Sequence, residues 1–257
     1  MTTLTKRKTQ NGIKVKNRAD GGEALRKPLT TLSLTFDIGL HPRQIQRWRG
    51  MVAESAGLEN ELFHNHNSAA PDAEGAAADG LHHRYPLIHY RSRGGKACLW
   101  GMGEGAEALK NWAQKMQAKN GDNNWRLQQW IEKDHTLELT PDTFHTYRLM
   151  DWIALNGANY HQWKQCGSLA ERVALLDNIL AAHLLKFASG AGWVLPQRLE
   201  ARLLLIRDIR QVRLFGENRM AFNAVYRANI RLPDGIALGS AVAFGFGYQQ
   251  ATAAQDF

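Results

Sequence analysis

Leu32-Ser33-Leu34-Thr35-Phe36-Asp37-Ile38-Gly39-Leu40 alternates apolar and polar side chains without a break, the pattern of a strand with one buried face. Next to it Pro42 suits a first helical turn, Ile45, Trp48, Val52 and Ala56 recur at helical spacing, and Gly57 can close the helix. Leu87–Arg91 and Ala97–Met102 then flank Ser92-Arg93-Gly94-Gly95, which predicts a hairpin. Glu104 to Ala118 reads as a helix with Ala108, Leu109, Trp112 and Met116 on one side, and Leu137 and Leu139 close the half as a strand. Strand, helix, strand, strand, helix, strand is the ferredoxin-like order shared with many RNA-binding modules. The polar segment Asn120 to Ile131 is expected to connect the last helix and strand, with Trp125 pinning it to the core, and Pro141-Asp142 marks a boundary.

Beyond that boundary Phe144 to Leu155 reads as a strand. Ser168 with Glu171 forms a capping box ahead of Leu169, Val173, Leu176, Ile179, Leu180, Leu184 and Phe187, and Gly190 stops that helix. Leu203–Leu214 and Met220–Ile230 surround Gly216-Glu217-Asn218 as a second hairpin. Met220, Phe222, Ala224, Tyr226, Ala228 and Ile230 are expected on its packed face, with Asn223, Arg227, Asn229 and Arg231 on a face open to RNA. His161 and His183 read as structural. The expected fold is α+β: two tandem ferredoxin-like (RRM-like) domains with antiparallel sheets, residues 31–141 and 142–257. Residues 1–30, with Lys6, Arg7, Lys8, Lys14, Lys16, Arg18 and Gly21-Gly22, read as a basic, disordered arm.

Composition narrows the partners. Lys and Arg outnumber Asp and Glu by 32 to 24, a formal charge of +8 and a pI near 9.6, which favours a polyanion, most commonly nucleic acid. An apolar fraction of 44% suffices for packed cores, and a mean hydropathy of −0.41 without a long apolar run argues against a membrane span. Cys98 and Cys166 imply no disulfide framework and fit reduced thiols in a cytoplasmic protein, and the polar first thirty residues carry no secretory signal.

Chemistry concentrates between Leu62 and Arg91, where five of the 10 histidines lie: His64, His66, His82, His83 and His89. They are mixed with Arg84, Tyr85, Tyr90 and Arg91, side chains that bind phosphate and stack on bases beside groups that move protons near neutral pH. His64 and His66 share one face if the segment is extended, so an acid and a base could serve one phosphate. Solvated loop histidines and a zinc site are the rival readings. No Cys lies nearby and no His-Glu-x-x-His helix is present, so nuclease chemistry ranks first, surface histidines second and a metal third. Arg43, Arg47 and Arg49 decorate the first helix and join Arg84, Arg91, Arg227 and Arg231 as candidate RNA contacts.

Gly235, Gly239, Gly245 and Gly247 occur with Phe244, Phe246 and Tyr248 near the end of the chain, where no helix and strand remain to complete a dinucleotide-binding unit. Read bottom-up, they are either a loop whose backbone N–H groups approach phosphate or a tight turn with a bulged last strand.

Two motifs in order carry a family resemblance. Leu62-Phe63-His64-Asn65-His66-Asn67, then Tyr85-Pro86-Leu87-Ile88-His89-Tyr90-Arg91 with Gly101 and Glu104-Gly105, resembles the CRISPR-associated endoribonucleases that process precursor guide RNA, in the branch with a His-x-His pair of the RAMP superfamily. Leu232 to Gly247 looks like that family's carboxy-terminal glycine-rich loop. The resemblance implies metal-independent cleavage within the CRISPR repeat, with no cofactor, by one of His64 and His66 as general base or acid. It implies Tyr85 orienting the phosphate, Arg84 or Arg49 stabilising added charge, and the glycine loop lying on the RNA backbone. Products would end in a 2',3'-cyclic phosphate and a 5'-hydroxyl. In the alternative, the chain is a non-catalytic RNA-binding subunit whose partners are other effector subunits. Two departures stand out: an alanine-rich, acidic insertion over Asn67–Gly80, and no lysine near the histidines, leaving Arg47, Arg49 or Arg84 to substitute.

Overall fold

The structure, a computed structural model, describes residues 25–57, 60–64, 84–118 and 125–253. Its first strand, β1 (Arg26–Gly39), buries Leu32, Leu34 and Phe36 on one face as the alternation requires. A single 3-10 turn (Pro42–Gln44), capped by His41 and Gln44, leads into α1 (Ile45–Ala56), which ends where Gly57 takes a positive φ. β2 (Ile88–Arg93) and β3 (Lys96–Met102) form the hairpin about Gly94-Gly95. α2 (Glu104–Ala118) and β4 (Leu127–Leu139) complete the unit. The sheet order is β2-β3-β1-β4, the ferredoxin-like one.

Two expectations are corrected here. The first domain reaches back to Arg26, not residue 31, because β1 pairs with β4 back to the Arg26–Glu138 register, where the two side chains bridge at 2.8 Å; residues 1–24 of the expected arm lie outside the described residues. β4 also starts inside the segment read as a connector. Among the described residues only Glu138 and Leu139 have a neighbour on its far side, so most of it is a sheet edge and carries polar residues. Trp125 does pack inward, edge to face with Trp48 at 5.1 Å.

The second half begins with β5 (His145–Trp152), followed by α3 (Gly157–Gln165), a helix the sequence reading missed and that Asn156 caps through the Asn159 N–H at 2.8 Å. α4 (Leu169–Gly190) starts at the expected Ser168 cap. It is apolar and long enough to cross a membrane by composition, and it lays Leu176, Leu180, Leu184 and Phe187 against the second sheet. β6 (Ala201–Leu214) and β7 (Glu217–Ala228) form a long hairpin turning at Phe215-Gly216, β8 (Ile230–Arg231) follows, and β9 (Tyr248–Ala251) closes the chain. The order β6-β7-β5-β9 repeats the first sheet, but a glycine-rich segment with one 3-10 turn (Val242–Phe244) stands where the second helix would be.

β8 leaves its own half and pairs with β4 in the first sheet. Arg227 and Arg231, expected on one face of one strand, therefore stand on different sheets. Asn229 between them is 3% exposed and ties the Arg198 carbonyl and Glu200 N–H, so it is no part of an open face. The first core, under α1 and α2, is closed by Leu34, Phe36, Trp48, Leu99 and Trp112. The second is shared: Leu29, Tyr85, Trp100 and Met102 of the first half pack into one cluster with Tyr147, Trp152, Phe187 and Tyr226. Part of the outer face of sheet one is thus buried against the second half.

Candidate active site at the junction of the two halves

Strand alternation in β2 separates its side chains. Ile88 and Tyr90 point into the first core, while His89 and Arg91 point to the junction. From the inner face, the Tyr90 hydroxyl donates to the Phe63 carbonyl at 2.7 Å, the carbonyl immediately preceding His64. Phe63 is itself buried, its ring 6.0 Å from that of Trp112. Asn60 accepts from the Phe63 N–H at 3.0 Å and, through Oδ1, from the Leu62 N–H at 3.3 Å, so the chain is turned before it reaches His64. Glu61 and Arg84 face each other at 3.9 Å across the mouth of the long insertion. His66, His82 and His83 fall outside the described residues.

Arg49 of α1 is half-buried with its guanidinium 5.0 Å from the Phe244 ring centre, and burial lowers its pKa. Phe244 in turn meets Phe215, from the tip of the β6–β7 hairpin, edge to face at 5.1 Å. Arg47 on the same helix and Arg43 in the 3-10 turn before it are exposed. One end of α1, the edge strand β2 and the glycine-rich segment thus converge where the His64 segment is fastened.

Tyr85 does not stand where a phosphate could reach it. It is 4% exposed, its hydroxyl donates to the Ala237 carbonyl at 2.8 Å, and its ring packs edge-on against Phe187 at 5.5 Å. Burial pushes its pKa well up, so it stays a neutral hydroxyl that braces the glycine-rich segment. Arg91 is likewise used internally. Its guanidinium is sandwiched between Trp100 and Tyr248, 4.8 and 5.2 Å from their centres, and donates to the Gly235 carbonyl and to His89 Nδ1. Burial brings its pKa down to about 10, still charged at neutral pH. His89 is held neutral by burial and by Arg91, its Nε2 facing the Pro86 carbonyl at 3.0 Å. These two corrections share one cause: both side chains are spent holding residues 235–237.

The glycines also differ from the expected phosphate cradle. The Gly235 N–H bonds the Gln249 carbonyl, that of Gly245 the Val242 carbonyl, and that of Gly247 the Asp151 carbonyl. Two of the loop glycines have no room for a side chain: a Cβ on Gly247 would lie 1.8 Å from the Leu238 carbonyl oxygen, and one on Gly239 2.7 Å from the Trp152 ring. On the second sheet Arg227 is exposed over Phe144 at 5.1 Å, directly opposite Arg202, while Arg231, on the first, bridges Glu138 at 3.4 Å. His183 is structural as expected, accepting from Trp152 Nε1 at 3.1 Å. Tyr90, Phe244 and Tyr248 lay within the two motifs but, like Trp100, were given no role in the site from sequence; period-two alternation about His89 and Arg91 was the signal for Tyr90. Among the described residues no group of three His, Cys, Asp or Glu side chains could hold a metal ion.

Comparison with known proteins agrees with this architecture. No curated protein sequence matches the chain. A crystal structure of Cas6b superposes with a TM-score of 0.69 at 19% identity, covering 88% of this chain and 100% of that one. A CRISPR RNA processing endoribonuclease Cas6b gives 0.63 at 17% with the same coverage, and Csf5, a type IV Cas6 crRNA endonuclease, 0.52 at 14%, again covering 88% and 100%. The Cas6b N-terminal domain family matches residues 27–136 and the Cas6b C-terminal domain family residues 139–252. With both domain families present in order and almost end to end, the chain belongs to the Cas6b family.

Proposed function

We propose that the chain is an endoribonuclease that cuts CRISPR precursor RNA within the repeat without a metal ion. The observation that carries the proposal is the fastening of the Phe63 carbonyl, immediately before His64, to the edge strand β2, near Arg49 and the glycine-rich segment. The similarity to a protein named as a CRISPR RNA processing endoribonuclease supports the substrate class. One imidazole of His64 and His66 takes the proton of the 2'-hydroxyl beside the scissile phosphate; its oxygen attacks phosphorus, and the 5'-oxygen departs with a proton from the other. The products carry a 2',3'-cyclic phosphate and a 5'-hydroxyl. Arg49 and Arg84 are the cations available to the transition-state charge, and Arg43, Arg47 and Arg227 to flanking phosphates.

The test is one gel with purified protein, a repeat RNA and excess EDTA, on which a single cut is expected. His64→Ala should slow single-turnover cleavage by about 10²–10⁴-fold with RNA affinity nearly unchanged. Cleavage abolished by chelator, or a full rate in both His64→Ala and His66→Ala, would reject the mechanism. The burial of the Tyr85 hydroxyl favours a second reading, an RNA-binding effector subunit without cleavage, which predicts retention of RNA uncut at every pH.

A further inference from the structure

We propose that Tyr90 is a positioning residue for cleavage, orienting His64 through the peptide that precedes it. The proposal rests on the reading of His64 as a general acid or base. Tyr90 is 1% exposed, and its hydroxyl crosses from β2 to the Phe63 carbonyl at 2.7 Å, joining residues 27 positions apart. That carbonyl belongs to the peptide plane linking Phe63 to His64, so the bond sets the direction of the N–Cα bond from which the His64 side chain branches. Phe63, wedged by Trp112, fixes position; the bond to Tyr90 fixes rotation. The same residue also meets the other wall of the site: its backbone carbonyl lies 3.5 Å from where a Cβ on Gly245 would stand. Burial keeps the phenol protonated and therefore a donor throughout the working pH range. Tyr90 thus touches the histidine segment through its side chain while its backbone lies against the glycine-rich turn.

Tyr90→Phe keeps the ring and removes the bond. In the full chain, single-turnover cleavage of a CRISPR repeat RNA should fall about tenfold while RNA affinity holds, because angular misplacement of a proton-transfer group costs rate rather than binding. Added to His64→Ala, the same change should cost nothing further, since the group it orients is gone. Independently of activity, amide hydrogen exchange across residues 60–64 should quicken about tenfold, the loss of one buried hydrogen bond, with α2 unaffected. An unchanged rate in Tyr90→Phe, an equal loss on top of His64→Ala, or unaltered exchange at 60–64 overturns the proposal. A full rate in His64→Ala alone instead rejects the acid–base reading on which it stands.

Discussion

The two halves repeat one topology and differ most between their third and fourth strands. Between β3 and β4 the first half has α2, whose Ala106, Leu109, Trp112 and Ala113 cover their own sheet. The second half has the glycine-rich segment instead, tied to its own strand by the Gly247 N–H at the Asp151 carbonyl and the Ser240 N–H at the Ile153 carbonyl, and braced from the first half by Tyr85 at Ala237 and Arg91 at Gly235. A helix satisfies its own backbone; an irregular segment must find partners elsewhere. The exchange of helix for loop therefore creates a junction that neither half could form alone, and the candidate site is built on it.

The strongest test of that contrast is Gly247→Ala. A Cβ there would overlap the Leu238 carbonyl at 1.8 Å on a backbone with φ +71°, so the loop cannot close and we expect more than about 4 kcal/mol of destabilisation in urea unfolding, the range of exceptional single substitutions. An unaltered midpoint would show that the loop is not fastened as described. Arg91→Leu comes next. It leaves the Gly235 carbonyl and His89 Nδ1 without their donor and empties the space between two rings, a loss of about 3 kcal/mol, which Arg91→Lys should not restore because a lysine cannot fill the sandwich and bond both acceptors.

Acid probes the second core through His183. His183 is held down to about 4, first by burial and then by Lys186, while the unfolded chain titrates near the ordinary 6.5. Between those values the unfolded state binds the extra proton, so this contribution is complete above pH 6.5 and is lost as pH falls toward 4, about 2 kcal/mol in all after allowance for partial exposure. His183→Asn, whose Oδ1 can still accept from Trp152 Nε1, should flatten that slope in unfolding curves at pH 7 and pH 4.5; an unchanged slope would exclude His183 as its source. The smallest effect belongs to Gly245→Ala. Its φ is +84° but the nearest atoms, Ile45 Cδ1 and the Tyr90 carbonyl, are 3.5 Å away, so only backbone strain of about 1 kcal/mol is added. If it proved as damaging as Gly247→Ala, the difference in packing between the two positions would be wrong.

The ferredoxin-like repeat was legible because its signals are local. Leu32-Leu34-Phe36, the Ser168 cap and the Gly94-Gly95 turn each declare themselves within a few residues. α3 was missed because Gly157–Gln165 presents a single buried residue, Trp163, and so has no apolar stripe to read. The start of β4 was missed because an edge strand can be polar. For the site, the sequence located the histidine stretch and the glycine loop, but it gave Tyr85 and Arg91 to the RNA.

What the sequence decided alone, then, is the order of elements, the basic charge and the two motifs, all properties of spacing along the chain. Which side chains of those motifs face a substrate was decided by the tertiary structure. Tyr85 meets Ala237 across 152 residues and Arg91 meets Gly235 across 144, and no periodicity reaches that far. A buried backbone group without a partner is costly, so the fold drew on the nearest strong donors to satisfy residues 235–237, and Tyr85 and Arg91 became supports instead of contacts.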